Sequence, residues 1–168
     1  NLTVMPKINR VAGKLTVGGV AGQNAGIIGQ EKETSADIQV SVDFENFDNY
    51  KYLGGIVGQN ERGATVQNST YTGTITEKMG MAGNCYGGIT GDNSGTLNAC
   101  AINEIRMEIR GIYAATSTST TVQKESLSSH AGGIAGKNEE TGEIINCILR
   151  DNKDSVLKAQ YGMLGGIA

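Results

Sequence analysis

Apolar residues fall at every second position in two stretches of the chain. In "DIQVSVDF" (Asp37–Phe44), Ile38, Val40, Val42 and Phe44 share one face. In "EIRMEIR" (Glu104–Arg110), Ile105, Met107 and Ile109 do the same, and Glu104, Arg106, Glu108 and Arg110 take the other face. Period two predicts half-buried β-strands. "TYTGTIT" (Thr70–Thr76) carries Thr70, Thr72, Thr74 and Thr76 at the same period and predicts one threonine-rich strand. "SVLKAQYGML" (Ser155–Leu164) resembles a helical turn in part. Gly162 and the glycine pair that follows it predict a strand instead.

A second pattern lies over the first. The phrase Gly-Gly-apolar-apolar-Gly-x-Asn recurs as "GGVAGQN", "GGIVGQN", "GGITGDN" and "GGIAGKN", and "GGIA" closes the chain. The glycine pairs begin at residues 18, 54, 87, 132 and 165, so successive copies are offset by 36, 33, 45 and 33 residues. A period of this size marks a stacked repeat architecture. After the Asn comes a short Gly-bearing turn, an apolar residue and often a second Asn. Asn68, Asn98 and Asn146 take that second place, and Gly29 takes it in the first copy.

The expected fold is all-β: a β-solenoid of about four glycine-rich repeats of roughly 33–45 residues. It is read as a single repeat domain over residues 1–168, cut from a larger protein. One unit of short strands cannot bury its own apolar face, whereas stacked units cover one another. Gly18, Gly19, Gly22, Gly54, Gly55, Gly58, Gly87, Gly88, Gly91, Gly132, Gly133 and Gly136 are the structural glycines. Two reasons for glycine are expected: positive φ at sharp turns, and tight packing at corners. Asn24, Asn60, Asn93 and Asn138 are expected to stack as an amide ladder, because each amide both donates and accepts.

Composition sharpens this. Glycine supplies 25 of 168 residues, tryptophan is absent, and phenylalanine occurs only twice. The core is therefore expected to consist of Ile, Val, Leu, Ala and Met in thin layers. The net charge of −3, with no Lys/Arg cluster, argues against a nucleic-acid partner. No apolar run is long enough to span a membrane.

Candidate chemistry is sparse. "AGGIAGKN" (Ala131–Asn138) approaches a phosphate loop, but Ala131 and Asn138 break the motif, and Gln23, Gln59 and Asp92 replace Lys137 in the other copies. Asp37 with Asp43, and Glu104 with Glu108, are carboxylate pairs on polar strand faces, where solvation and cross-strand pairing explain them. His130 beside Ser129 is no triad, since triad partners are rarely sequence neighbours. Cys85, Cys100 and Cys147 are an odd number without a CxxC. Small buried thiols are expected, with one disulfide as the competing arrangement. No catalytic, cofactor-binding or metal-binding set is assigned.

Binding is expected where the beat is broken. "TSTSTT" in the longest copy supplies Thr116, Thr118 and Thr120, read as an exposed loop or added hairpin. "DFENFDNYKY" (Asp43–Tyr52) is read as a second insertion. It supplies Phe44, Phe47, Tyr50 and Tyr52, as a contact patch or as a cap over the stack.

"LGGIVGQNERGATVQNSTYTGTI" (Leu53–Ile75) resembles the GLUG motif, a repeat of bacterial surface and secreted proteins. The match includes Asn68, Ser69, Tyr71, Gly73 and Ile75. The other copies match its Gly–Asn head and depart in the tail. The resemblance implies an extracellular, cell-surface or secreted bacterial protein. GLUG repeats occur in adhesin-like proteins and in accessory regions of metallopeptidases that cleave immunoglobulin A. The expected function is thus non-enzymatic: an adhesion or binding scaffold, or a spacer. Its partner would be a host glycoprotein, a glycan or another protein, beside neighbouring repeats of the same chain. The alternative is a substrate-positioning region of a secreted metallopeptidase; a polysaccharide-cleaving enzyme is a third reading.

Overall fold

The protein's structure is a computed structural model that describes residues 2–3, 15–30, 38–47, 50–77, 83–110, 129–150, 153–160 and 162–168, with the side chains of residues 2, 3, 45–47 and 50 left aside. Among the described residues every regular element is a strand. The strands form four parallel sheets. Sheet I orders β1 (Leu2–Thr3), β5 (Ile38–Ser41), β10 (Ser69–Glu77), β14 (Ala101–Ile109) and β18 (Ile148–Leu149). In it β6 (Phe44–Phe47) also pairs with β10, and β19 (Val156–Ala159) with β14. Sheet II orders β2 (Leu15–Gly18), β7 (Tyr50–Gly54), β11 (Cys85–Gly87), β15 (Ser129–Gly132) and β20 (Gly162–Gly165). Sheet III contains β3 (Ala21–Asn24), β8 (Val57–Asn60), β12 (Thr90–Asn93) and β16 (Ala135–Asn138). Sheet IV contains β4 (Ile27–Ile28), β9 (Thr65–Gln67), β13 (Thr96–Asn98) and β17 (Glu143–Ile145).

Each copy of the phrase therefore visits sheets II, III, IV and I in the same order. The registers repeat the sequence offsets: Ala21 pairs with Val57, Val57 with Thr90, and Thr90 with Ala135. The corners are laddered as well. Val20 N donates to Ile56 O at 2.9 Å, Ile56 N to Ile89 O at 3.0 Å, Ile89 N to Ile134 O at 2.8 Å, and Ile134 N to Ile167 O at 3.0 Å. Backbone groups that would be orphaned at a turn are thus satisfied by the next copy.

The core runs along the stack in columns. Leu53, Tyr86 and Ala131 line sheet II; Ile56, Ile89 and Ile134 fill the corner; Val66 and Leu97 line sheet IV. Val40, Tyr71, Ile102 and Leu149 form one column of sheet I, and Phe44, Ile75, Met107 and Leu157 form another. Fully burying one such side chain contributes roughly 1.5–3 kcal/mol. The alternation read at Ile38–Phe44 and Ile105–Ile109 is present, although β5 and β6 divide the first stretch. The expected aromatic-free core is corrected: Tyr71, Tyr86 and Phe44 are buried in it. A buried tyrosine needs a partner for its hydroxyl. Tyr71 donates to Val42 O at 2.8 Å, and Tyr86 donates to the Glu77 carboxylate at 2.8 Å.

The phrase's glycines answer to crowding. None of the glycines in Gly-Gly-x-x-Gly has positive φ; among the described residues the glycines that do are Gly29, Gly63, Gly73 and Gly83. A Cβ on Gly18, Gly54, Gly87 or Gly132 would strike the carbonyl oxygen three residues on. On Gly19, Gly55, Gly88 or Gly133 it would strike Val40, Tyr71, Ile102 or Leu149, the sheet I column just described. On Gly58, Gly91 or Gly136 it would meet backbone nitrogens of Val17, Leu53 or Tyr86 in sheet II. Gly22 faces Thr16 O in the same way. One phrase thus packs one corner against three different neighbours.

Candidate binding surface

The four phrase asparagines stack, with Asn24, Asn60 and Asn93 buried and Asn138 exposed. Asn24 Nδ2 donates to Asn60 Oδ1 at 2.9 Å, Asn60 Nδ2 to Asn93 Oδ1 at 2.9 Å, and Asn93 Nδ2 to Asn138 Oδ1 at 2.7 Å. The second amide hydrogen is used too: Asn24 reaches Thr65 O, Asn60 reaches Thr96 O, and Asn93 reaches Glu143 O, at 3.1–3.3 Å. The amides of Asn24, Asn60 and Asn93 thus spend both hydrogens within the fold, while the exposed Asn138 donates to Gly142 O at 2.9 Å. The second-Asn position is corrected by one residue. The left-handed backbone sites are Asn68 (φ 46°), Ala99 (φ 51°) and Asn146 (φ 53°), so Ala99, not Asn98, holds the place. Asn98 lies within β13, in register with Gln67 and Ile145.

The glycine-rich segment at Ala131–Asn138 turns its backbone amides toward the neighbouring copy: Gly133 N on Gly165 O at 3.3 Å, Ile134 N and Ala135 N on Ile167 O. Lys137 Nζ is held by Glu139 at 2.5 Å. Ser129 and His130 are consecutive in β15, so they face opposite sides of the sheet and cannot act together. His130 instead shares a column with Cys85 and Tyr52. Burial pushes the Cys85 thiol up to about 12, leaving no thiolate nucleophile there at neutral pH. Burial lowers the His130 pKa first, and the Lys137 charge lowers it further.

Beside this column runs a polar stripe on sheet III, with Gln23, Gln59, Asp92 and Lys137 in register. Gln23 Nε2 donates to Glu61 Oε1, and Gln59 Nε2 donates to Asp92 Oδ2 at 3.1 Å. Asp92 Oδ1 is buried and has no hydrogen-bond partner among the described residues. Desolvation raises the pKa of this carboxyl above the usual aspartate range, against the opposing Gln59 bond. Among the described residues no group of three His, Cys, Asp or Glu is placed to hold a metal ion.

A polar face lies on the outer side of sheet I, whose β10 and β14 are nine residues each. Thr70, Thr72, Thr74 and Thr76 alternate there with the inward Tyr71 and Ile75. Exposed Glu104 and Arg106 lie on the next strand, where Arg106 Nη2 meets Glu108 Oε1 at 2.7 Å and Lys158 Nζ approaches the same oxygen at 3.8 Å. Such surface pairs are worth about 0–1 kcal/mol. Of the other carboxylate pair, Asp43 Oδ1 accepts Thr74 N at 2.8 Å, and Asp37 lies outside the described residues.

Of the four aromatics expected in the contact patch, Phe44 is turned into the core. Within Asp43–Tyr52, Phe44–Phe47 forms β6 in sheet I and Tyr50–Tyr52 begins β7 in sheet II. Phe44 is a core residue, with 4% of its surface exposed, because it stands in the Ile75–Met107 column. Phe47 ends β6 and Tyr50 begins β7, and their side chains lie outside the described residues. Tyr52 is half-buried, with Lys51 Nζ 4.5 Å from its ring centroid. Thr116, Thr118 and Thr120 lie outside the described residues. The outer face of sheet I was missed as a surface in its own right. Its signal was present in the threonine and Glu/Arg alternations, but nothing in either stretch alone says that the two are adjacent strands.

No curated protein and no solved structure matches the chain. Residues 49–76 match the family model of the GLUG motif. That segment spans β7, β8, β9 and nearly all of β10, one passage through sheets II, III, IV and I. By this match and by its position in the stack, the chain carries a GLUG motif at residues 49–76.

Proposed function

We propose that this chain is a β-solenoid module of a bacterial cell-surface or secreted protein, acting without catalysis as a binding and adhesion scaffold or spacer. The observation that carries the reading is the fate of the recurring residues. The amides of Asn24, Asn60 and Asn93 and the phrase glycines are spent on contacts between copies, so the phrase builds a wall and leaves recognition to other positions. The polar outer face of sheet I, with Thr72, Thr74, Thr76, Glu104 and Arg106, is the surface on which a glycoprotein or glycan would be met.

Beads coated with the protein test this on surfaces bearing host glycoproteins or purified glycans. Retention that falls when Thr74 and Arg106 are both replaced by alanine supports the scaffold reading. Turnover of a polysaccharide, or of immunoglobulin A, by the purified chain would overturn it. Far-UV circular dichroism dominated by helix would overturn the solenoid beneath it.

A further inference from the structure

The thiols of Cys100 and Cys147 come from adjacent copies. Asn98 pairs with Ile145 and Ala101 with Ile148, so Cys100 and Cys147 stand directly one above the other. The backbone locks this register, with Ala99 N on Ile145 O at 2.9 Å and Ile148 N on Cys100 O at 2.9 Å. The two thiols are close enough to shift each other's ionisation. Each sulfur also lies on a carbonyl of the copy before: Cys100 Sγ is 3.4 Å from Val66 O, and Cys147 Sγ is 3.6 Å from Leu97 O. Both thiols are reduced.

We propose that Cys100 and Cys147 are a dithiol oxidation site, closed by a small-molecule disulfide into a covalent staple between the third and fourth copies. Strand spacing in a parallel sheet is about 4.8 Å, inside the Cα separation that a disulfide spans. The Cβ atoms must approach a little further than sheet spacing sets them. The Cys147 side is the one able to yield, because it precedes β18, a strand of only two residues.

The two thiols differ in the way a stepwise exchange needs. Cys147 is half-buried, and the Cys100 thiol beside it lowers its pKa to about 7. Cys100 is fully buried and is pushed up, first by its bond to Cys147 and then by desolvation. Cys147 thiolate attacks one sulfur of the small disulfide, forming a mixed disulfide and releasing one thiolate. Cys100 gives its proton to that released thiolate and attacks Cys147 Sγ, expelling the second small thiol. Two protein thiols are oxidised by two electrons, and one small disulfide is reduced to two thiols. Cys85, in sheet II with a pKa near 12, takes no part.

The test uses the full reduced chain and oxidised glutathione. Thiols counted after denaturation should fall from three to one, because two are consumed. Digestion without reductant should yield the Cys100 peptide linked to the Cys147 peptide. Cys100→Ser should stop as a glutathione adduct on Cys147, and Cys147→Ser should keep both remaining thiols. A count that stays at three, a link through Cys85, or equal reactivity of Cys147→Ser overturns the proposal. If Cys100→Ser fails to fold, the thiol count and Cys147→Ser still decide.

Discussion

The side chain of Asn60 lies against that of Asn93, donating Nδ2 to Oδ1 at 2.9 Å, with both residues wholly buried. Asn60 is at once the acceptor for Asn24, so its amide is fixed in orientation by partners on both sides. Asn60→Asp removes the donor and sets a charged oxygen against Asn93 Oδ1. An unsatisfied buried partner costs about 1–3 kcal/mol, and more when a charge is involved. Urea unfolding should show a loss of at least about 2 kcal/mol. A midpoint unchanged from the parent would mean that the ladder contributes nothing.

Gly55 and Gly26 separate crowding from flexibility. A Cβ at Gly55 runs into the Tyr71 ring and Gly88 O, whereas one at Gly26 meets nothing within 4 Å. Gly55→Ala should cost about 3 kcal/mol or prevent folding, at the upper end of overpacking penalties. Gly26→Ala should stay within about 0.5 kcal/mol of the parent, as an ordinary surface change does. Comparable losses in the two variants, measured by thermal melts, would defeat the steric account.

Ala99 holds a left-handed conformation that a Cβ disfavours by roughly 1–2 kcal/mol. The equivalent positions carry Asn68 and Asn146, which tolerate it. Ala99→Asn should therefore raise stability by about 1 kcal/mol. A melt at or below the parent's would contradict this.

Asp92 gives a pH signature. Its folded pKa is raised, mainly by desolvation, so the folded state binds the proton more tightly than the unfolded chain does. The charged carboxylate therefore weighs against the fold at neutral pH, and this burden is relieved as pH falls through the raised folded value. Asp92→Asn should be the more stable protein at pH 7, with its advantage fading in acid and gone below the ordinary aspartate range. A constant difference across that titration would assign the effect to packing.

The strand alternations, the copy offsets and the amide ladder were legible because each depends on spacing that stacking preserves. Asn24 to Asn60 is the same interval in the sequence and in the register. Two kinds of feature were not legible. The reason for Gly55 depends on Tyr71, which approaches it from another sheet. Ala99 was hidden because the turn between sheets III and IV differs in length among copies, and residue identity pointed to the neighbouring Asn98. Phe44 looked like part of an insertion for a related reason: its column partners Ile75 and Met107 lie in later copies.

The copies keep their register although the third is 45 residues long and the second 33, from 87 to 132 and from 54 to 87. Asn93 meets Asn138 as closely as Asn60 meets Asn93. The extra length is taken up between the end of β14 at Ile109 and the start of β15 at Ser129, outside the Gly–Asn head. That junction is a splice point. Added length there leaves the register of the wall unchanged, and evolution has the same freedom to lengthen one copy and leave its neighbours untouched.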